Sequence, residues 1–272
     1  MPKSRSVATL LVIPVAAGLL VVPATATAKS TITISGSTSV APLITQLARG
    51  YVKAKPGKAK FKVLQGGSDI GIADVARGRV TLGMSSRDPQ PSDPGGLVFN
   101  RIARDGICVA TNNSNAIGGL SQDQIQAIFS GRVRSWSQVP GATASGPIDL
   151  IVRSPASGTQ DAFQNIFMGQ SLRIAPSASQ KASNGLVQQS IRSNKNAIGY
   201  LDFNFTAGVN TIDYKGVSCS LRNAKSGQYG GTRNFWLVSR GKAKGAAASF
   251  IKWIKSGKAA KRVVAKNWVP LK

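Results

Sequence analysis

Thr31-Ile32-Thr33-Ile34-Ser35-Gly36-Ser37-Thr38-Ser39-Val40-Ala41-Pro42-Leu43 is the stretch on which the fold turns. It begins with a short β-branched run and continues through a glycine-serine loop. Pro42 then opens a helical pattern with Leu43, Leu47 and Tyr51 on one side. Pro56-Gly57 ends that helix, and the order of strand, loop and helix recurs. Phe61 and Val63 alternate with lysines ahead of Gly66-Gly67-Ser68-Asp69, residues 70–77 read as a short helix, and residues 80–84 as a strand running into Ser85-Ser86-Arg87. This alternation marks an α/β sheet, where ligands bind at the carboxyl ends of strands near a reversal of strand order.

Further along, residues 106–110 form an apolar strand, and Ser121 with Gln124 makes a capping box before Ile125, Ile128 and Phe129, a helix that Gly131 closes. Residues 148–152 predict a strand feeding Arg153-Ser154-Pro155-Ala156-Ser157-Gly158-Thr159, with a helix over 160–168. Asn184-Gly185 starts another helix carrying Leu186 and Ile191. Residues 197–201 and 235–238 are strand-like. Phe250, Trp253, Ile254 and Gly257 mark the inner side of a terminal helix whose Lys252, Lys255 and Lys258 face outward.

Four Ser/Thr/Gly-rich loops thus each follow a strand and precede a helix. Helix N-termini present unpaired N–H groups and the positive end of the peptide dipole, and hydroxyls add short donors, which together form an oxyanion cradle. Each loop taken alone also reads as an N-cap or a tight turn.

Composition narrows the chemistry. The chain has no histidine and no glutamate, all ten acids being aspartates, so a Ser-His-Asp triad, an H-E-x-x-H zinc site and a paired-glutamate glycosidase are excluded. No catalytic residue, cofactor or metal ligand is expected. The net charge of +25 concentrates anions at the surface, and a small inorganic anion, an anionic wall polymer or membrane, and nucleic acid all remain open on charge alone. No aromatic residues interleave with the basic ones as single-strand binding needs, so no nucleic acid partner is expected.

Lys3 and Arg5 precede an apolar stretch at 7–22, and Ala26-Thr27-Ala28 supplies small residues at cleavage spacing, which reads as a secretory signal peptide over residues 1–28. A membrane anchor is the other reading, but Pro14 and Gly18 interrupt a run already short for a spanning helix. No cysteine follows the cleavage region to accept a lipid anchor, so a soluble, exported, monomeric protein is expected, periplasmic or extracellular. Cys108 and Cys219 either form a disulfide, which an oxidising compartment permits, or stand as two buried thiols. About 240 residues after the leader suffice for two lobes.

Several of these segments together carry a resemblance: Gly36-Ser37-Thr38-Ser39-Val40-Ala41-Pro42-Leu43, Gly67-Ser68 before Gly71-Ile72, Gly83-Met84-Ser85-Ser86-Arg87, Ile128-Phe129-Ser130-Gly131 with Trp136, Arg153 with Ser157-Gly158-Thr159-Gln160-Asp161-Ala162-Phe163, and Ala197-Ile198-Gly199-Tyr200-Leu201. In order, over nearly the whole chain after the leader, they resemble the phosphate-binding component of bacterial phosphate ABC importers, of the type II periplasmic binding proteins. The resemblance implies an α/β, two-lobed fold with mixed sheets flanked by helices and a ligand cleft between the lobes. Lobe I would comprise residues 29–107 plus 234–272, and lobe II residues 108–233. It implies capture of inorganic phosphate for an ABC permease, with Thr38, Ser39, Ser68, Ser86, Arg153, Ser157, Gly158 and Thr159 as ligands and Arg153 as the one countercharge. A receptor for sulfate, molybdate or a phosphate ester would keep the same fold, and a basic surface protein for anionic polymers is the remaining alternative.

Two positions depart from the family's pattern. Ser86 stands where well-known members place an aspartate that receives the phosphate proton, and Pro155 where another aspartate follows the arginine. Asp69 and Asp88 lie beside the loops as replacement acceptors or as loop caps.

Overall fold

A computed structural model describes residues 1–2 and 30–271; apart from its first two residues, the leader read at 1–28 lies outside the described residues. The first half of the fold comprises β1 (Ser30–Gly36), α1 (Ala41–Ala54), β2 (Ala59–Gln65), α2 (Ser68–Ala76), β3 (Leu82–Ser85) and the long β4 (Leu97–Thr111). The second comprises β5 (Gly119–Leu120), α3 (Gln122–Phe129), β6 (Asp149–Arg153), α4 (Gly158–Phe163), β7 (Ser179–Lys181), α5 (Asn184–Ser193), β8 (Ala197–Asp202), β9 (Asn210–Thr211), β10 (Asp213–Tyr214) and α6 (Leu221–Ser226). The chain then returns through β11 (Thr232–Arg240) to α7 (Gly245–Ser256) and α8 (Lys258–Asn267).

The strands run in the order β2-β1-β3-β11-β4-β8-β6-β7, with β9 beside β4, and β4 joins the two halves. Its first part pairs antiparallel with β11 and its last five residues with β8. The alternation of Thr with Ile in β1 buries Ile32 and Ile34, and the i, i+4 spacing of Leu43, Leu47 and Tyr51 turns one side of α1 onto the sheet. These residues join Phe235, Leu237, Phe250 and Ile254 in one core. A second core gathers Ile125, Phe129, Trp136, Phe163, Phe167 and Tyr200, and Val269 from the C-terminal end packs into it. Cys108 and Cys219 are joined by a disulfide, Cα atoms 5.6 Å apart, tying the end of β4 to the segment before α6.

Three elements differ from the sequence reading. The strand expected at 106–110 is the end of 15 residues of β4, because cross-strand pairing carries the chain extended through Arg101, Arg104 and Asp105. The helix expected over 160–168 is α-helical only to Phe163 and continues as a π-helix over Gln164–Met168. The terminal helix is two helices, and Lys258 opens the second rather than extending the first.

Candidate functional site

β1 runs parallel with β2 and β3, and β6 runs parallel with β7 and β8, so each half delivers its strand-end loops to one edge. The two edges face each other. Asp69 N–H donates to Ala156 carbonyl across the divide at 3.2 Å, and Gln90 Nε2 to Asp161 Oδ1 at 2.7 Å. Gly71 presses α2 onto the first sheet: a Cβ there would lie 2.7 Å from Gly36 Cα, and this close approach carries Ser68 inward to full burial. Gly158 does the same work across the divide. A Cβ on it would collide with the Ser68 hydroxyl and lie 2.8 Å from both Ser86 Oγ and the Arg87 backbone nitrogen.

Thr38, Ser39, Ser68, Ser86, Arg153, Ser157, Gly158 and Thr159 are all buried, and the facing loops bring them together. Ser39 Oγ lies 3.0 Å from Thr159 Oγ1, from the opposite half. Ser86 N–H donates to Ser68 Oγ at 3.0 Å, and Ser37 Oγ donates to Ser86 Oγ at 2.9 Å. Ser157 Oγ caps α4 by accepting from the Thr159 and Gln160 amides. Arg153 gives Nε to the Lys181 carbonyl at 3.1 Å and Nη2 to the Ala182 carbonyl at 2.9 Å, while Nη1 approaches Thr159 Oγ1 at 3.4 Å. One hydrogen on each terminal nitrogen is then left, a fork suited to two oxygens of an anion.

Arg153 is not the sole cation, which corrects the sequence reading. Arg233 reaches in from β11, donating Nη1 to Thr159 Oγ1 at 2.7 Å and Nη2 to Ser39 Oγ at 2.9 Å and Asp105 Oδ2 at 3.0 Å. Asp202 Oδ2 stands 3.7 Å from the same Nη2. Asn184 Nδ2, at the start of α5, donates to Ser39 Oγ at 2.7 Å and approaches Thr38 Oγ1 at 3.3 Å. Asp202 and Asn184 had a usable signal, since one directly follows the apolar strand at 197–201 and the other opens a helix after a strand. Arg233 had none: it sits at the start of an antiparallel strand and enters the site only because its cross-strand neighbour is Asp105, beside the point where β4 passes from pairing with β11 to pairing with β8.

Neither aspartate proposed from sequence as an acceptor enters the cluster. Asp69 binds Arg87 Nε at 2.7 Å, and Asp88 Oδ1 accepts from Asn234 and Trp236. Arg87, buried on the same loop, also forks onto Asp93; burial opposes its charge, but Asp93 and Asp69 outweigh that and hold its pKa above the ordinary value. The carboxylates that do reach the site are Asp105 and Asp202, both fully buried. Burial, then the charge of Asp202, raises the Asp105 carboxyl well above the usual range against the pull of Arg233. Burial likewise raises Asp202, which Arg233 and the Ser39 hydroxyl oppose. Burial and the neighbouring Arg233 charge push Arg153 down to about 10, with Tyr200 and Asp202 opposing.

The hydrogen-bond count shows what this arrangement can hold. Ser39 Oγ receives two donors, from Asn184 and Arg233, and Thr159 Oγ1 receives two, from Arg233 and Arg153. Ser39 turns its own proton toward Asp202, whereas the Thr159 hydroxyl has a proton to give and no lone pair to receive one. With the two free Arg153 hydrogens beside it, the cluster keeps buried donors that a compact oxyanion would meet.

A family model described as a PBP superfamily domain matches residues 21–258. The chain belongs to the PBP superfamily. Among curated members it is similar to the phosphate-binding protein PstS of Bacillus subtilis, at 28% identity over 250 residues covering 90% of this chain and 82% of that one. Among solved structures it is similar to a Clostridium perfringens substrate-binding protein assigned to phosphate ABC transport, with phosphate bound: TM-score 0.84, 30% identity, 89% of this chain and 100% of that chain. An ABC-type phosphate transport receptor from Vibrio cholerae gives a TM-score of 0.71 at 27% identity, covering 88% of this chain and 100% of that one. The mixed α/β sheet with flanking helices is the fold these superfamily members share. Among the described residues, no helix is long and apolar enough to cross a membrane.

Proposed function

We propose that this chain captures inorganic phosphate outside the cytoplasm and delivers it to the permease of an ABC importer, without catalysing a reaction. The observation that carries this reading is the set of buried donors left unanswered where the two halves meet, the Thr159 hydroxyl and the Arg153 fork. The relatives named for phosphate binding, and the bound phosphate of the Clostridium protein, support the choice of anion. The ligand set is Thr38, Ser39, Ser68, Ser86, Arg153, Ser157, Gly158 and Thr159, extended by Arg233 and Asn184. The lobe boundaries are those the resemblance implies, 29–107 plus 234–272 and 108–233; two separate cores support a division into two lobes, with Ile107 and Val269 packing into the second core. Export follows cleavage of the leader after residue 28, and the exported protein is a monomer.

Phosphate near neutral pH carries an O–H that sulfate lacks, so selectivity needs a buried acceptor. Asn184 Oδ1 and Asp105 Oδ1 are buried with no hydrogen-bond donor, and these acceptors support phosphate over sulfate as the guest. Titration calorimetry on anion-stripped protein without its leader tests the reading: phosphate should bind with sulfate failing to compete, and no heat or thermal shift at millimolar phosphate would overturn it. Arg153→Ala should cost about 1.5 to 3 kcal/mol of affinity, roughly ten- to a hundred-fold in Kd.

A further inference from the structure

Charge is distributed unequally over the molecule. Residues 30–106 with 232–271 carry 21 lysines and arginines against five aspartates, whereas residues 107–231 carry ten against five. Two stretches account for the difference, 49–62 and 240–266, which together hold twelve lysines, three arginines and no acid. All fifteen cations are exposed, and among the described residues none forms an ion pair.

The fold places these stretches side by side, because α1 packs against α7 and α8 and its end is fastened to α7 by rings. Tyr51 meets Trp253 and Phe250 at centroid distances of 5.5 and 5.3 Å. Around Trp253 lies a depression of about 440 Å³ lined by Lys55, Lys58, Lys252, Ser249 and Ser256. Trp253 is only partly buried, and its indole N–H donates to no side chain or carbonyl among the described residues. The anion cleft lies at the other end of α1, whose 14 residues span about 21 Å. This surface and the cleft are therefore separate.

We propose that the α1–α7–α8 face docks on an anionic phospholipid bilayer, its lysines against headgroup phosphates and Trp253 at the interfacial level. Charge complementarity carries the assignment: an acid-free face of unpaired cations attracts a surface of like negative charges, each lysine contributing roughly equally and without fixed geometry. Lysine outnumbers arginine four to one here, which suits a diffuse field of phosphates better than the bidentate reading of nucleic acid. A single indole ringed by lysines offers no stacking platform for bases, yet it is the residue that membrane interfaces favour. The inference stands apart from the phosphate reading, since none of its residues touches the cleft.

Vesicle co-sedimentation of the protein without its leader tests it. Vesicles of one part phosphatidylglycerol to three parts phosphatidylcholine should carry the protein down at low salt and release it near 1 M salt, where screening shortens to about 3 Å, and pure phosphatidylcholine should not bind. Partition should fall about five-fold per lysine, so the triple variant K55Q/K58Q/K252Q should lose roughly a hundred-fold. The control K195Q/K215Q/R222Q, in the other half, should lose far less. The triple variant should still bind phosphate with unchanged heat, which shows that it is folded and keeps the two readings apart. Equal loss in the control, no binding to anionic vesicles at low salt, or binding of duplex DNA or a soluble wall polymer in preference to vesicles overturns the assignment.

Discussion

The cleft and the α1–α7–α8 face use positive charge in opposite ways. In the cleft two arginines are buried, each held by named partners, and Arg233 is bound to Asp105 and stands near Asp202. In the stretches that build the face, 49–62 and 240–266, fifteen cations are exposed with no acid among them. The first arrangement gives geometry and selectivity, because desolvated donors must be matched atom by atom; the second gives only a field, which salt screens. A net charge of +25 is therefore a statement about the face and is almost silent about the cleft.

Arg233→Met should make the contrast sharpest, because it strands the buried Asp105 carboxyl and removes a charge beside Asp202: about 3 to 5 kcal/mol of stability should be lost, seen as a drop of roughly 10 °C or more in Tm. A melt no different from that of a surface lysine variant would erase the distinction. Gly158→Ala should come next, costing roughly 1 to 3 kcal/mol of phosphate affinity while the fold survives, since its Cβ keeps the halves from meeting at Ser68 and Ser86. Wild-type affinity in that variant would mean that the contact between halves is not the bound form.

A smaller effect separates the two regions by pH. Because burial and then Asp202 raise the folded Asp105 carboxyl, the native chain takes up this proton before the unfolded chain does as pH falls. The stability Asp105 contributes is thus fully present below about pH 4 and is lost as pH rises through its raised folded value. Asp105→Asn should flatten that decline in denaturant titrations across the acid to neutral range; an unchanged slope would assign the dependence to other groups. Least of all, Lys252→Gln with Lys258→Gln should shift stability by less than about 0.5 kcal/mol, with an unchanged Tm expected from calorimetry.

Much of the fold was legible because its signals are local. The β-branched run at 31–35, Pro42 at a helix start and the Ser121–Gln124 capping box each specify their own conformation, and the structure has β1, α1 and α3 there. The long crossing strand β4 was only half legible, since Arg101, Arg104 and Asp105 break its apolar pattern while pairing with β11 holds them extended. The break at Gly257 hid inside a pattern whose helical period continues on both sides.

The amino-acid order by itself determined the four donor loops, the absence of histidine and glutamate, and the acid-free basic stretches, because each depends on residue type and near neighbours alone. The tertiary structure decided which groups meet: Ser39 with Asn184 145 positions away, and with Arg233 194 positions away, around two carboxylates. Such pairings follow from strand order and from the crossing of β4 and β11, and no local pattern encodes a distance between residues so far apart in the chain.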